Sequence, residues 1–289
     1  MLKILQHFWS FIIYPSDRQL FAKNNDTYAK VFFTMFLFKV LILSIILPLE
    51  YLLQQIDPIF TKKMPHDESF WKDLLTVSLL APLIEELMFR YFLKYKPFFS
   101  YVINRNTWRK NYRWFLYSSV ALYGLAHLSN FENANTLFYV LGVFIVLSNF
   151  MDGFVFSFLR VRLGFQYNWM LYGIWNVFTI ALISTIYQLK NPILKEKNEN
   201  YQLEVNLTKY RDTTENLFFI RKSADTIYNI NVKQHALSTV VDSLCGKNTY
   251  NVYDQFVDID FRSPKGLAKD SLLRILTKKL TIEEKKKSN

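Results

Sequence analysis

The sequence predicts an α-helical multi-pass membrane protein of about five spanning helices, followed by a soluble α+β domain. Three observations predict it. Of 289 residues, 51% are hydrophobic and 18% aromatic, with only 7 Gly and 8 Pro, which argues against disordered and low-complexity classes. The apolar residues of the first two thirds gather in long runs. The basic excess of that part sits in the short loops between the runs, which is a membrane-protein distribution. Residues 1–189 carry net +6 and residues 190–289 net +5, so the total of +11 is not the concentrated patch that nucleic-acid binding requires. No nucleic-acid partner is expected; lipid is. One cysteine, Cys245, excludes a disulfide framework within the chain.

A helix needs roughly 20 apolar residues to cross the hydrocarbon core. Val31–Leu53, Leu74–Phe92, Trp114–Leu128, Leu137–Leu159 and Trp169–Tyr187 are the five runs read as spans. Polar residues interrupt them: Lys39 and Glu50 in the first, Glu85, Glu86 and Arg90 in the second, His127 in the third, Asp152 in the fourth and Asn176 in the fifth. Ile4–Ile13 is too short to span and is expected to lie in the interface with Trp9 and Tyr14. Its apolar stretch holds Gln6 and His7 and no small-residue cleavage site follows, so a secretory signal peptide is not expected.

Loop charge predicts an orientation. Lys94–Arg113 carries six Lys/Arg, and no acidic residue lies between Glu86 and Glu132. Arg160 and Arg162 are read as belonging to a short 160–164 connection. The positive-inside rule then places the N-terminus, 94–113 and 160–164 in the cytoplasm. The 54–73 and 129–136 loops and everything after 189 fall outside. The expected location is a cell membrane, that of a prokaryotic cytoplasm.

Residues 1–30 are thus an interfacial segment and 31–189 a membrane domain. Residues 190–200 (KNPILKEKNEN) read as a polar linker, 201–284 as an extracytoplasmic α+β domain, and 285–289 as a basic tail. Within the soluble domain Tyr201–Asn206, Leu217–Ile220, Thr226–Val232, Tyr250–Tyr253 and Val257–Phe261 read as strands. Ala236–Leu244 and Leu267–Leu280 read as helices, with Gly246 placed to end the first. The later strand–helix–strand–strand–helix run resembles the secretin/TonB short N-terminal fold. The domain is expected to serve docking or sensing, and Cys245 to pack rather than react.

Ionisable residues inside a span cost roughly 2.5–3.5 kcal/mol each on insertion scales and mark function. The second run, APLIEELMFRYF, holds three. Glu86 and Arg90 are spaced i,i+4 and can pair. Glu85 is rotated about 100° away and is left to act separately. In the third run Tyr123 and His127 share a face; a membrane His can be a base, a metal ligand or a packing residue. In the fifth, Tyr172 and Asn176 share a face. Both can donate to an oxyanion, and Asn can equally bond helix to helix.

These residues resemble the CAAX prenyl protease and bacteriocin-processing family, also called the abortive infection family. The resemblance rests on Glu85-Glu86-x-x-x-Arg90, Tyr123-x-x-x-His127 and Tyr172-x-x-x-Asn176 on separate helices, with AHLSNF and GFVFSFLRVRLG flanking them, and covers roughly residues 70–185. It implies an intramembrane endopeptidase. Glu85 would activate water, supported by Glu86 and Arg90; His127 would share that task; Asn176 would help hold the oxyanion. Tyr123 replaces the family's usual Phe, and Tyr172 its usual His.

A neutral Tyr donates well and ligates metal poorly. No cofactor is therefore expected; zinc, if present, would rest on Glu85 and His127, short of the three protein ligands of a catalytic site. The expected reaction is hydrolysis of a peptide bond in a membrane-associated peptide or protein. The alternative is a catalytically inactive member acting as a membrane scaffold or immunity-type binding protein. The soluble domain is expected to bring a further partner.

Overall fold

The computed structural model describes residues 1–19, 25–56, 70–131, 136–208, 216–247, 249–252 and 255–284. The described residues fall into two compact units, one drawn from 1–62 and 75–177, the other from 63–74 and 178–289. The first is helical and the second is rich in strand.

Among the described residues three helices are long and apolar enough to cross a membrane: α2 (Asn25–Ile56), α7 (Thr136–Arg162) and α8 (Phe165–Lys190). Two of the five expected spans differ. The second run is not one α-helix. It passes through α3 (Phe70–Leu75), a π-helical stretch Thr76–Leu80, α4 (Ala81–Glu85) and a second π-helical stretch Glu86–Arg90. The third run follows α5 (Arg105–Lys110) and forms α6 (Tyr112–Ala126), which at 15 residues is shorter than the roughly 20 a crossing needs. It ends in a 3₁₀ turn, His127–Asn130.

The amphipathic first segment is α1 (Leu2–Ile13). It leaves Trp9 and Tyr14 exposed, as expected of an interfacial helix, yet it also inserts Phe8 and Phe11 into the bundle. Phe8 meets Phe38 of α2 and Phe158 of α7 edge-on, and Tyr117 of α6 donates its hydroxyl to the Ile12 carbonyl at 2.8 Å. Burying such side chains contributes about 1.5–3 kcal/mol each.

Small residues set the helix spacing. A Cβ on Gly124 would stand 2.3 Å from the Phe150 ring, so α6 lies against α7 only because that Cβ is missing. Gly164, at φ +106, makes the left-handed turn between α7 and α8. Arg160 and Arg162 are not in that turn. Both lie inside α7, and Arg160 is buried, which removes it from the loop-charge count used above for orientation.

In the second unit, β1 (Leu194–Lys197), β2 (Gln202–Thr208), β3 (Leu217–Ser223), β4 (Thr226–Ala236) and β6 (Phe256–Ala268) form an antiparallel sheet in the order β1-β2-β6-β4-β3. Two short strands, β5 (Tyr250–Val252) and β7 (Ile282–Glu284), pair separately. Helices α9 (Leu237–Cys245) and α10 (Lys269–Leu276) pack their apolar stripes on one face of the sheet, over Leu203, Val205, Ile230, Val232, Ile259 and Phe261. Gly246 ends α9 with φ +96. Two boundaries change. Leu194–Lys197, read as part of a polar linker, is an edge strand, and the last predicted helix starts later because Leu267 is still paired with Ile227. Tyr253 and residues 285–289 lie outside the described residues.

Cys245 is half-buried, and burial pushes its thiol above the usual 9.0, so it is a weak nucleophile at neutral pH. On β1, Glu196 accepts from the Tyr201 hydroxyl at 2.6 Å and from Lys278 Nζ at 2.9 Å, which hold its carboxyl below the usual 4.5. A depressed carboxylate stabilises the fold above about pH 4.5, and that contribution is lost as pH falls through the lower folded value. The pair is exposed, so the contribution is about 0.2–1 kcal/mol. Glu196→Gln is expected to lower the unfolding temperature of this domain slightly at neutral pH. The difference from wild type should shrink as pH falls below about 4.5 in a calorimetric or circular-dichroism melt.

Candidate functional site

A π-helical turn closes its bonds five residues along rather than four and leaves a backbone carbonyl without its usual partner. In a membrane such a group must be satisfied from elsewhere. Side chains of the neighbouring helices do this. Asn176 Nδ2 donates to the Val77 carbonyl at 2.7 Å, and Trp169 Nε1 to that of Leu79 at 3.1 Å. Ser119 donates to the carbonyl of Phe89, and Arg160 Nε approaches that of Arg90 at 3.5 Å. The two π stretches therefore lock α6, α7 and α8 around the segment that carries Glu85 and Glu86.

The two glutamates point to different surroundings. Glu86 is fully buried. Arg160 Nε lies 3.0 Å from its Oε1, Asn168 donates to its Oε2, and Arg90 Nη1 is 3.9 Å away. The i,i+4 pair with Arg90 is thus the longer contact, and Arg160 of α7 is the close counter-ion. Arg90 is itself fully buried and lies over aromatic rings, 4.3 Å from the centroid of Tyr123 and 5.1 Å from that of Phe156. A cation over these faces is attracted by the ring quadrupoles.

Glu85 is only half-buried. Its Oε2 accepts from the Tyr172 hydroxyl, which is also 2.8 Å from the Tyr123 hydroxyl. Tyr172 is held by its ring, stacked on Phe156 with centroids 4.1 Å apart. His127 packs its ring on Tyr123, at 4.5 Å, and its Nδ1 is 2.8 Å from the Tyr123 carbonyl. A carbonyl only accepts, so Nδ1 carries the proton and Nε2 is the basic nitrogen. The site is therefore a chain of contacts: Glu85, Tyr172, Tyr123, His127. Asn176 is tied to the Val77 carbonyl, the helix-to-helix bond that its spacing also allowed.

A second ion pair, between a buried lysine and a half-buried aspartate, lies beside the rings. Lys39 Nζ of α2 is 2.9 Å from Asp152 Oδ1 of α7, and 4.0 Å from the Phe156 centroid. In the sequence Lys39 stands out only as an interruption of an apolar run, and Asp152, with Asn149, as a weaker site candidate. Arg160 reads there as a loop charge, and Asn168 has no assigned role. Lys39 and Asp152 are polar residues inside apolar runs, and Arg160 and Asn168 each adjoin the end of one, which was the available signal; the pairings cross between helices and leave no local spacing.

Among the described residues no group of three His, Cys, Asp or Glu side chains gathers to hold a metal ion. A catalytic zinc takes three protein ligands, so the described donor set does not fit one.

α8 passes close to the first π stretch at Gly173. A Cβ there would stand 2.7 Å from the Ser78 carbonyl oxygen, a backbone atom that cannot turn aside. Gly173→Ala is expected to cost about 1–3 kcal/mol and to displace the adjoining Tyr172. Gly142→Ala meets only a Leu128 methyl, at 3.2 Å, and should be milder. Comparative thermal unfolding in detergent checks both.

The bundle, with two carboxylates of unlike surroundings on a π-interrupted helix and a tyrosine pair linking Glu85 to His127, defines a membrane-embedded helical protein with a polar centre suited to acid–base work. Residues 67–178 match the family model described as type II CAAX prenyl endopeptidase Rce1-like, and this part of the chain is a domain of that family. No curated protein and no solved structure matches the chain.

Proposed function

We propose that this protein is an intramembrane endopeptidase that hydrolyses a peptide bond of a membrane-associated peptide or protein. The observation that carries the reading is the unequal treatment of the two glutamates. Glu86 is sealed and neutralised by Arg160 and Arg90, while Glu85 is half-buried and accepts from Tyr172. The Rce1-like match supports the reaction class.

In this reading Glu85 removes a proton from water as its oxygen attacks the scissile carbonyl carbon. Negative charge develops on the carbonyl oxygen, and the Tyr172 hydroxyl turns to donate to it, with the second amide hydrogen of Asn176 as a further donor. His127, through its unprotonated Nε2, positions that water, and the proton taken up by Glu85 passes to the leaving amine as the C–N bond breaks. Arg90, fixed over Tyr123 and Phe156, holds the two tyrosine rings in place.

The reading keeps five crossings, with the α3–α4 and α6 segments as the two shorter ones. It places residues 201–284 outside the membrane as a separate docking module. Contacts of the 14–18 segment support a common side for the N-terminus, the 94–113 loop and the end of α7: Arg109 lies 3.7 Å from Asp17, and Arg162 Nη2 is 3.4 Å from the Ser16 hydroxyl.

His127→Ala removes the group that positions the water but keeps the helix end. Peptide termini in membranes carrying it, read by mass spectrometry against wild type, should show cleavage products reduced by about 10²–10⁴.

A second reading is an inactive relative acting as a scaffold or immunity-type binding protein. Tyr172 favours it: the buried ring occupies the space between Glu85 and Tyr123, and its hydroxyl engages the carboxylate. Wild-type membranes with no cleavage product absent from the His127→Ala sample would select this reading.

A further inference from the structure

Between Leu93 and α6 the chain makes a folded turn whose two halves differ in character. The inner half is packed. Tyr95 donates its hydroxyl to the Ile103 carbonyl at 2.9 Å and sets its ring on Trp108, which in turn packs on Tyr112. Phe99 lies against Tyr91, and Asn104 caps α5 by accepting from the Thr107 amide at 2.8 Å. This half is built like a small core and holds the turn in one shape.

The outer half presents apolar groups with nothing on them. Phe98, Tyr101 and Val102 are 66%, 89% and 87% exposed, and Trp114 at the start of α6 is 60% exposed. The exposed charged residues of the same turn are all cations, Lys96, Arg105, Arg109, Lys110 and Arg113, in a stretch without an acidic residue between Glu86 and Glu132. Among the described residues Arg109 reaches a carboxylate, Asp17, and Arg113 lies over Trp114 at 5.4 Å.

The position of the turn matters as much as its composition. It joins the ends of two segments whose outer faces are apolar and exposed, with Leu80, Ile84 and Met88 on one and Leu122 and Leu125 on the other. The tip therefore lies where the apolar exterior of the bundle ends. An aromatic and aliphatic tip in a stretch whose exposed charges are cationic, Arg109 alone among them paired with a carboxylate among the described residues, matches the boundary between acyl chains and anionic headgroups. An acidic protein surface would complement the cations. It would not complement an apolar tip continuous with a lipid-facing helix exterior.

We propose that the 94–114 turn is an interfacial anchor that inserts Phe98, Tyr101 and Val102 into the membrane surface and selects anionic phospholipid headgroups through Lys96, Arg105, Lys110 and Arg113. The assignment does not depend on the peptidase reading.

The test uses the full chain with Cys245→Ser and Tyr101→Cys, a nitroxide label on the new thiol, and reconstitution into phosphatidylcholine vesicles with and without phosphatidylglycerol. Power-saturation spectroscopy compares contact with oxygen, which concentrates in lipid, and with a water-soluble nickel complex. The expected result is an oxygen-accessible, nickel-protected label, with protection greater when phosphatidylglycerol is present.

Changing Lys96, Arg105, Lys110 and Arg113 to Gln should remove that lipid dependence. Retention of phosphatidylglycerol by the purified protein, measured by native mass spectrometry, should fall about fivefold per charge. Single substitutions give the same direction should the quadruple variant fail to fold. A label open to the nickel complex in both vesicles overturns the anchor. A protected label indifferent to phosphatidylglycerol overturns the headgroup selection. Protection that appears only when a second protein is added assigns the turn to a protein partner instead.

Discussion

Glu85→Gln is expected to abolish peptide hydrolysis while leaving the fold intact. Gln has the shape of Glu and still accepts from Tyr172, so the contacts of the half-buried side chain survive. It cannot take a proton from water. The loss of a general base alone is worth about 10²–10⁴ in rate. The measurement compares peptide termini by mass spectrometry in membranes carrying wild type or variant at equal expression. Products that vanish identify the substrate and the base together. Identical profiles would sink the peptidase assignment and favour a binding role.

Tyr172→Phe refines the result. Phe keeps the ring stacked on Phe156 and deletes the hydroxyl shared by Glu85 and Tyr123. If that hydroxyl moves to the oxyanion, hydrolysis falls about 10²–10³. If it instead blocks the carboxylate, hydrolysis rises, and Tyr172→His should raise it further.

Arg160→Met is expected to destabilise the bundle by about 3–5 kcal/mol, the cost of leaving a buried charge without its partner. Glu86 is fully buried, and Arg160 is the counter-ion at 3.0 Å; Arg90, at 3.9 Å, is engaged with rings. A loop arginine at the same position would cost no more than about 0.5 kcal/mol. The double variant Glu86→Gln with Arg160→Met should recover much of the loss, because neither charge is then stranded. Thermal unfolding of the four proteins in detergent forms the cycle that isolates the pair. Additive losses would show that Arg160 and Glu86 do not act together.

The membrane class was readable from the chain because hydropathy is a local sum. Runs such as Val31–Leu53 and Leu137–Leu159 have no stable place but lipid or a large core. The separation of Glu85 from Glu86 was also readable, since adjacent residues on any helix face different ways. So were most strands of the second unit, where alternation in Thr226–Val232 and Val257–Phe261 marks a half-buried sheet.

Other features depend on residues far apart in sequence. The π stretches at Thr76–Leu80 and Glu86–Arg90 have no composition of their own. They persist because Asn176, Trp169, Ser119 and Arg160 satisfy the carbonyls they release. Arg160 looked like a loop charge because its partner, Glu86, lies 74 positions earlier, and i,i+4 logic offered Arg90 instead. Lys39 finds Asp152, and Tyr172 finds both Glu85 and Tyr123, only when five helices pack.

The sequence by itself determined which runs are apolar enough for a membrane, which polar residue types interrupt them, and the periodicity of the second unit, because hydropathy and spacing act over a few residues. Only the tertiary structure decided which glutamate is neutralised, which carbonyls are freed and refilled, and which hydroxyl reaches Glu85. Those outcomes are pairings across helices, and in a low-dielectric interior each buried polar group takes the partner that packing brings within reach.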